Sequence, residues 1–396
     1  MKRTLSICVA ILAIAIAIGF LNHIRPPDLQ TTDFINFYAA GSVVRHGGGA
    51  TLYSRQTQDA AFKNAIGFTS TQYFLHPPFE AGWFALLSYL PIQRAFTVWT
   101  LVNVALVGLL PLVLKSAVGL ILRKPYVATL ALAFLPVPTA LTLGQDSVLL
   151  LFIFSSCYAL LRQQRNATAG LALALAAIKF QYLIVLLPLI LMSRKSRLLP
   201  GFLTGAFCLV CLSVLMVGVK GLQTYFAFLL DFGVHSGYGS INPTLMVNWP
   251  GFLQGMGLTR HTAAYSMIGS LLLFALGFRC MRVLSEHSQD LIFAICLTIS
   301  FAATPYAHFP DAAILLLPML IVIDHVNFSQ HGKLATLMQA CCGLLFLWPW
   351  LLLALSGHYW WNSRIFLVFP AVLLFLFAAV AALYQESRSV RKFMAS

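Results

Sequence analysis

Asp33 stands in the segment TTDFINFYAAG as a lone carboxylate just beyond an apolar N-terminal run. A carboxylate there suits general-base work, because it stays ionised and takes a proton from an attacking hydroxyl only as that oxygen becomes acidic. Lys179 is the sharper anomaly. It interrupts the apolar stretch ATAGLALALAAIKFQYLIVLLPLILM with no acidic residue nearby in sequence. It reads either as a fixed cation for a phosphate or as a side chain snorkelling to the headgroups. His308 and Asp311, one helical turn apart in TPYAHFPD, offer an imidazole for the same phosphate and a carboxylate to orient it. Gln145 and Asp146 after Gly144, His76 before Pro77, and Tyr38 complete the candidate lining of a cavity. Each has an ordinary alternative. Asp33, Asp146 and Asp311 can cap helices, His76 can be a turn residue, and Tyr38 and Trp83 can be interfacial aromatics.

These groups need a membrane scaffold. Hydrophobic residues make up 60% of the 396, charged residues 9%, and only 11 are acidic. Mean hydropathy is +0.85. The apolar runs are continuous rather than alternating, which predicts an all-α polytopic membrane protein and excludes a barrel. Counting runs of about 20 residues gives about 11 to 13 crossings. The net charge of +14 sits in short clusters between these runs, so it reads as topology and not as a nucleic-acid surface. The cysteines lie in apolar runs; Cys208 and Cys211 have metal-pair spacing, but inside a span they read as small packing residues.

With Lys2 and Arg3 inside, a retained first span (5 to 22) delivers residues 23–76 outside as a first outer loop. Its helical periodicity, interrupted at Gly47, Gly48 and Gly49, predicts amphipathic helices on the membrane surface. PPFEAGWFALLSYLP is short for a crossing and is expected to dip in and return. Residues 166–192 have basic clusters at both ends, which predicts a hairpin with Lys179 at its turn. Residues 219–260 are expected as a second outer loop, and the whole chain as one membrane domain. The basic residues left outside are Arg25, Arg45, Arg55, Lys63, Lys220, Arg260 and Arg364, against a larger set inside. The candidate residues then share the outer face. There is no phosphate loop, dinucleotide fingerprint, HExxH or DxD pair, so no cofactor or metal is expected.

DFINFYAAG, ATLY, YFLHPPF, Trp99 with Asn103, GQD, AGLALALAAIK, NPTLMVNWPG and TPYAHFPDAAILL, in that order, resemble glycosyltransferase family 87. The resemblance runs from about Asp33 to Leu320. It implies a GT-C-type bundle akin to polyprenyl-phosphate-mannose-dependent mannosyltransferases of bacterial inner membranes, working without a metal on the periplasmic side. Asp33 would be the base, with Lys179 and His308 around the donor phosphate. The partners would be a polyprenyl-phosphate-linked sugar, a lipid or glycan acceptor and membrane lipids. Relatives often carry Pro after the lysine, whereas Phe180 follows here. The competing readings are a flippase of polyprenyl-linked glycans and a non-catalytic membrane subunit.

Overall fold

The computed structural model describes residues 32–67, 73–115, 117, 126–192, 197–234, 243–283, 289–329, 332–356 and 364–395. The reading of the N-terminal run as a retained span lies outside them.

The described part of the segment expected as a first outer loop holds two short helices before Pro78. α1 (Phe34–Arg45) is apolar on most sides and ends where Gly47 takes φ +77. α2 (Arg55–Ile66) starts at Ser54, whose side chain accepts from the N–H of Thr57, and buries Gln58 and Phe62 one turn apart. The opposite face of α2 exposes Gln56, Ala60 and Lys63, the pattern of an interfacial helix. α3 (Pro78–Leu87) has 10 residues. At 1.5 Å per residue it covers about half a hydrocarbon core, so it does not cross.

An aromatic cluster ties this loop to the bundle. Phe37 stacks on Phe84 of α3 at 4.7 Å between centroids, and Tyr53 lies 4.7 Å from Tyr225. Phe34 is fully buried against Phe84 and Phe96. Burial of one such ring contributes about 1.5–3 kcal/mol, enough to hold the residue before it in place.

The bundle continues through α4 (Ile92–Leu114), α5 (Tyr126–Ala133), α6 (Pro136–Leu143), α7 (Ser147–Arg162), α8 (Asn166–Ala174), α9 (Phe180–Met192) and α10 (Leu198–Val234). Then come α11 (Trp249–Gly255), α12 (Thr262–Val283), α13 (Gln289–Ala303), α14 (Leu316–Ser329), α15 (Lys333–Ser356) and α16 (Val368–Ala395). Among the described residues, 7 helical segments are long and apolar enough to cross a membrane, and α7 and α13 are shorter apolar helices. α13 is buried all round from Leu291 to Ala303, which puts it at the centre of the bundle. α10 exposes Leu203, Phe207, Leu215 and Leu230, as a helix facing lipid does.

Two expectations take a different form. The predicted hairpin at 166–192 is a helical run in which a 3-10 segment, Leu175–Lys179, joins α8 to α9 without a loop. Its two halves pack on different neighbours, α8 on α7 and α10 and α9 on α12 and α13. The predicted outer loop from 219 begins as helix. Gly218 (φ 69, ψ 173) breaks α10, yet the apolar residues beyond it stay helical to Val234. Glycine supplies that conformation without the clash a side chain would bring. Cys208 and Cys211 are free, exposed thiols on α10.

Candidate active site

Asp33 occupies the N-cap position of α1, but its side chain makes no capping hydrogen bond. Instead Gln145 Nε2 donates to Asp33 Oδ2 at 2.6 Å. Gln145 reaches it from an elbow between α6 and α7. Gly144 ends α6 in the left-handed region (φ 66), and Trp99 Nε1 pins its carbonyl at 2.9 Å. A Cβ on Gly144 would lie 2.6 Å from the Cβ of Phe34, so the elbow rests on the residue next to Asp33. Gly144→Ala should therefore lower the thermal unfolding midpoint by several degrees, from left-handed strain of about 1–2 kcal/mol plus the clash. Gly108→Ala, at an open helical site, should leave the midpoint unchanged or raise it slightly.

Lys179 does not snorkel. It is buried, with Nζ 2.7 Å from Asp146 Oδ1 and ion-paired with Asp311 Oδ1. It also donates to Gln145 Oε1 at 3.2 Å and Ser147 Oγ at 3.3 Å. The Gln145 amide thus points its oxygen at the ammonium and its nitrogen at Asp33. Ser147 Oγ donates to Asp311 Oδ1 at 2.7 Å, and the backbone N–H of His308 donates to Asp311 Oδ2 at 3.1 Å. Asp311 therefore orients His308 through the backbone, in a capping box, while also holding Lys179. The His308 segment is fixed further by an antiparallel bridge to Met246 and by Val247 N–H donating to the carbonyl of Ala307 at 2.8 Å. Asp146 sits at the N-cap of α7, yet it too makes no side-chain cap.

His76 joins from the other side. Its Nδ1 is 2.7 Å from Glu80 Oε2 and 3.5 Å from Asp146 Oδ2, and its ring lies 5.0 Å from Phe37. Of the residues singled out by sequence, the fold gathers Asp33, His76, Gln145, Asp146, Lys179, His308 and Asp311. Tyr38 is directed elsewhere, its hydroxyl donating to the carbonyl of Leu90 at 2.9 Å. Glu80 and Ser147 were not foreseen. The signal for Glu80 was its place in an apolar helix four residues after His76, one turn away. Ser147 gave no signal.

Burial sets the protonation of these groups. It raises the Asp33 pKa above the ordinary 3.8, with the Gln145 hydrogen bond and the charges of His308 and Lys179 opposing it. It lowers that of His308, which is neutral near pH 7 in this state. It pushes Glu80 up to about 7, against the pull of His76. For His76, burial alone would lower the pKa, but Glu80 and Asp146 together raise it.

A separate polar group, Arg162 Nη1 with Asp290 Oδ2 at 3.2 Å and Tyr158 donating to Asp290 Oδ1 at 2.9 Å, occupies the far end of α7. The 16 residues of that helix put it about 24 Å from Ser147. The site residues thus share one end of the bundle.

Fold and composition define a polytopic all-α membrane protein with a buried ionic site at one end. The model of Glycosyltransferase family 87 matches residues 74–305, more than half of the chain, and the chain belongs to that family. It is a membrane glycosyltransferase. The match takes in His76, Glu80, Gln145, Asp146 and Lys179, while Asp33, His308 and Asp311 flank it and are tied to it by the contacts above. Neither the curated proteins nor the solved structures contain a significant match to the chain.

Proposed function

We propose that the protein moves a mannose-like hexose from a polyprenyl-phosphate donor to a hydroxyl of a lipid or envelope glycan. The transfer takes place on the non-cytoplasmic face of a bacterial inner membrane. The observation that carries this reading is the Gln145 side chain, which joins the Asp33 carboxylate to the Lys179 ammonium. In this reading Asp33 takes the proton of the acceptor hydroxyl as its oxygen attacks the anomeric carbon. The bond from that carbon to the phosphate oxygen breaks on the opposite side, and polyprenyl phosphate leaves with the electron pair.

The departing phosphate gains negative charge, and preorganised positive groups stabilise it. Lys179 supplies the fixed charge and His308 a hydrogen bond, so the step routes nothing through a metal. Three ammonium protons already face Asp146, Asp311, Gln145 and Ser147, so the phosphate would take the place of one of the two neutral partners. His308, neutral beforehand, can hydrogen-bond the phosphate and gain a proton as the anion arrives. The sidedness rests on the basic clusters, Arg162, Arg165, Arg279 and Arg282 among them, which belong to the inward turns of the topology.

The test is transfer by the purified protein in proteoliposomes, given radiolabelled polyprenyl-phosphate mannose and the glycolipid fraction of a deletion strain. A labelled glycoside with stoichiometric release of polyprenyl phosphate is expected. Movement of the donor lipid across the bilayer with no glycosidic bond formed would instead make the protein a transporter.

A further inference from the structure

His76, Glu80 and Asp146 do no chemistry in the transfer step, yet they bring one imidazole and two carboxylates together. One ligand-type atom from each lies within 4.8 Å of the others. Glu80 and Asp146 are fully buried. Glu80 Oε1 and Asp146 Oδ2 accept no hydrogen bond from the described residues. A buried carboxylate oxygen without a donor is expensive, and two side by side are more so.

Charge makes the same point. The carboxylates of Asp33, Glu80, Asp146 and Asp311 surround the ammonium of Lys179, with the imidazoles of His76 and His308 as the other basic groups in contact or electrostatic reach. One ammonium does not balance four carboxylates. A proton shared between His76 and Glu80 answers one of these charges, but it leaves Asp146 Oδ2 with His76 Nδ1 at 3.5 Å and no donor. A divalent cation answers both carboxylates at once.

The geometry points to a binding site for a divalent transition-metal ion, with the His76 imidazole, a Glu80 carboxylate oxygen and Asp146 Oδ2 as its protein ligands. Imidazole with carboxylates suits Zn2+ or Mn2+ better than a hard cation alone would require. Ligand atoms about 2.1 Å from a tetrahedral ion stand about 3.4 Å apart. The His76–Asp146 separation of 3.5 Å already fits, and the His76–Glu80 contact of 2.7 Å needs only a small side-chain opening.

The surroundings hold these ligands in place as outer-shell groups do at metal sites. Phe37 and Phe74 flank the His76 ring at 5.0 and 5.6 Å, and Lys179 holds the other oxygen of Asp146. Pro77 and Pro78 stiffen the turn between His76 and Glu80. The ion would balance charge and fix the elbow behind Lys179; it is not the ligand of the donor phosphate. The inference stands apart from the role of Asp33.

The experiment uses the full-length protein in detergent, stripped with EDTA and titrated with Zn2+ or Mn2+. We expect one ion per chain, a rise of several degrees in the unfolding midpoint, and nitrogen modulation from one imidazole in the pulsed-EPR spectrum of the Mn2+ form. His76→Ala and Glu80→Gln should each weaken binding at least tenfold. Binding of neither ion, or equal binding by the wild type and Glu80→Gln (an adventitious ion), overturns the site. Should a variant fail to fold, the wild-type spectrum decides alone, and bound Mn2+ with no nitrogen modulation also overturns it.

Discussion

The Asp33→Asn protein should insert and unfold at the same temperature as the wild type while transferring sugar about 10²–10⁴-fold more slowly, the range spanned by removing a positioned general base. The substitution keeps the shape of the side chain, and Gln145 Nε2 can still donate to an amide oxygen at that position. What disappears is basicity. The pH profile gives an independent readout. Burial raises the Asp33 pKa above 3.8, so the ionised base is lost as pH falls through a value higher than that of an ordinary aspartate. Wild-type transfer should therefore rise with pH along a limb set by Asp33, and the residual rate of the variant should lack that limb. Transfer by Asp33→Asn at near the wild-type rate would remove this carboxylate from the mechanism.

The sequence shows which residues are out of place, and only the fold shows why they are there. Lys179 in an apolar run, Asp33 just beyond another apolar run and His308 with Asp311 all stand out because an unpaired charge at membrane depth is costly. Their side-chain partners lie 32 to 164 residues away, where no local pattern points to them. Asp33 and Asp146 sit at N-cap positions, so local preference accounts for their residue type and misses that both turn away from the cap. Tyr38 fails the other way: its helix places it near Asp33 in sequence, but the next contact of its hydroxyl is the carbonyl of Leu90. Apolar periodicity located the helices, whereas the 3-10 segment before Phe180 and the break at Gly218 depend on packing that periodicity does not carry. The glycines at 144 and 218 were visible, and at 144 the physical reason is close approach to Phe34 as much as the turn itself.

Lys179→Met should destabilise the protein by about 3–5 kcal/mol, the range for removing one partner of a buried ion pair. Methionine fills a similar volume, so little packing is lost. The cost arises because Asp146 Oδ1 and Asp311 Oδ1 both lose the cation between them and are left as buried like charges. A lysine that snorkelled to the headgroups would give almost no effect on the same substitution, so an unfolding midpoint within a degree of the wild type would refute the buried arrangement. The companion variant Lys179→Met with Asp146→Asn and Asp311→Asn removes the repulsion together with the cation. It should recover most of the lost stability, because neutral amides leave no net charge to bury, although Ser147 and the N–H of His308 keep an acceptor at position 311. Transfer should not recover, since no fixed positive charge then meets the departing phosphate. If that variant transferred sugar at the wild-type rate, Lys179 would be a structural counter-ion for two aspartates, and the charge on the leaving group would have to be met by His308 alone.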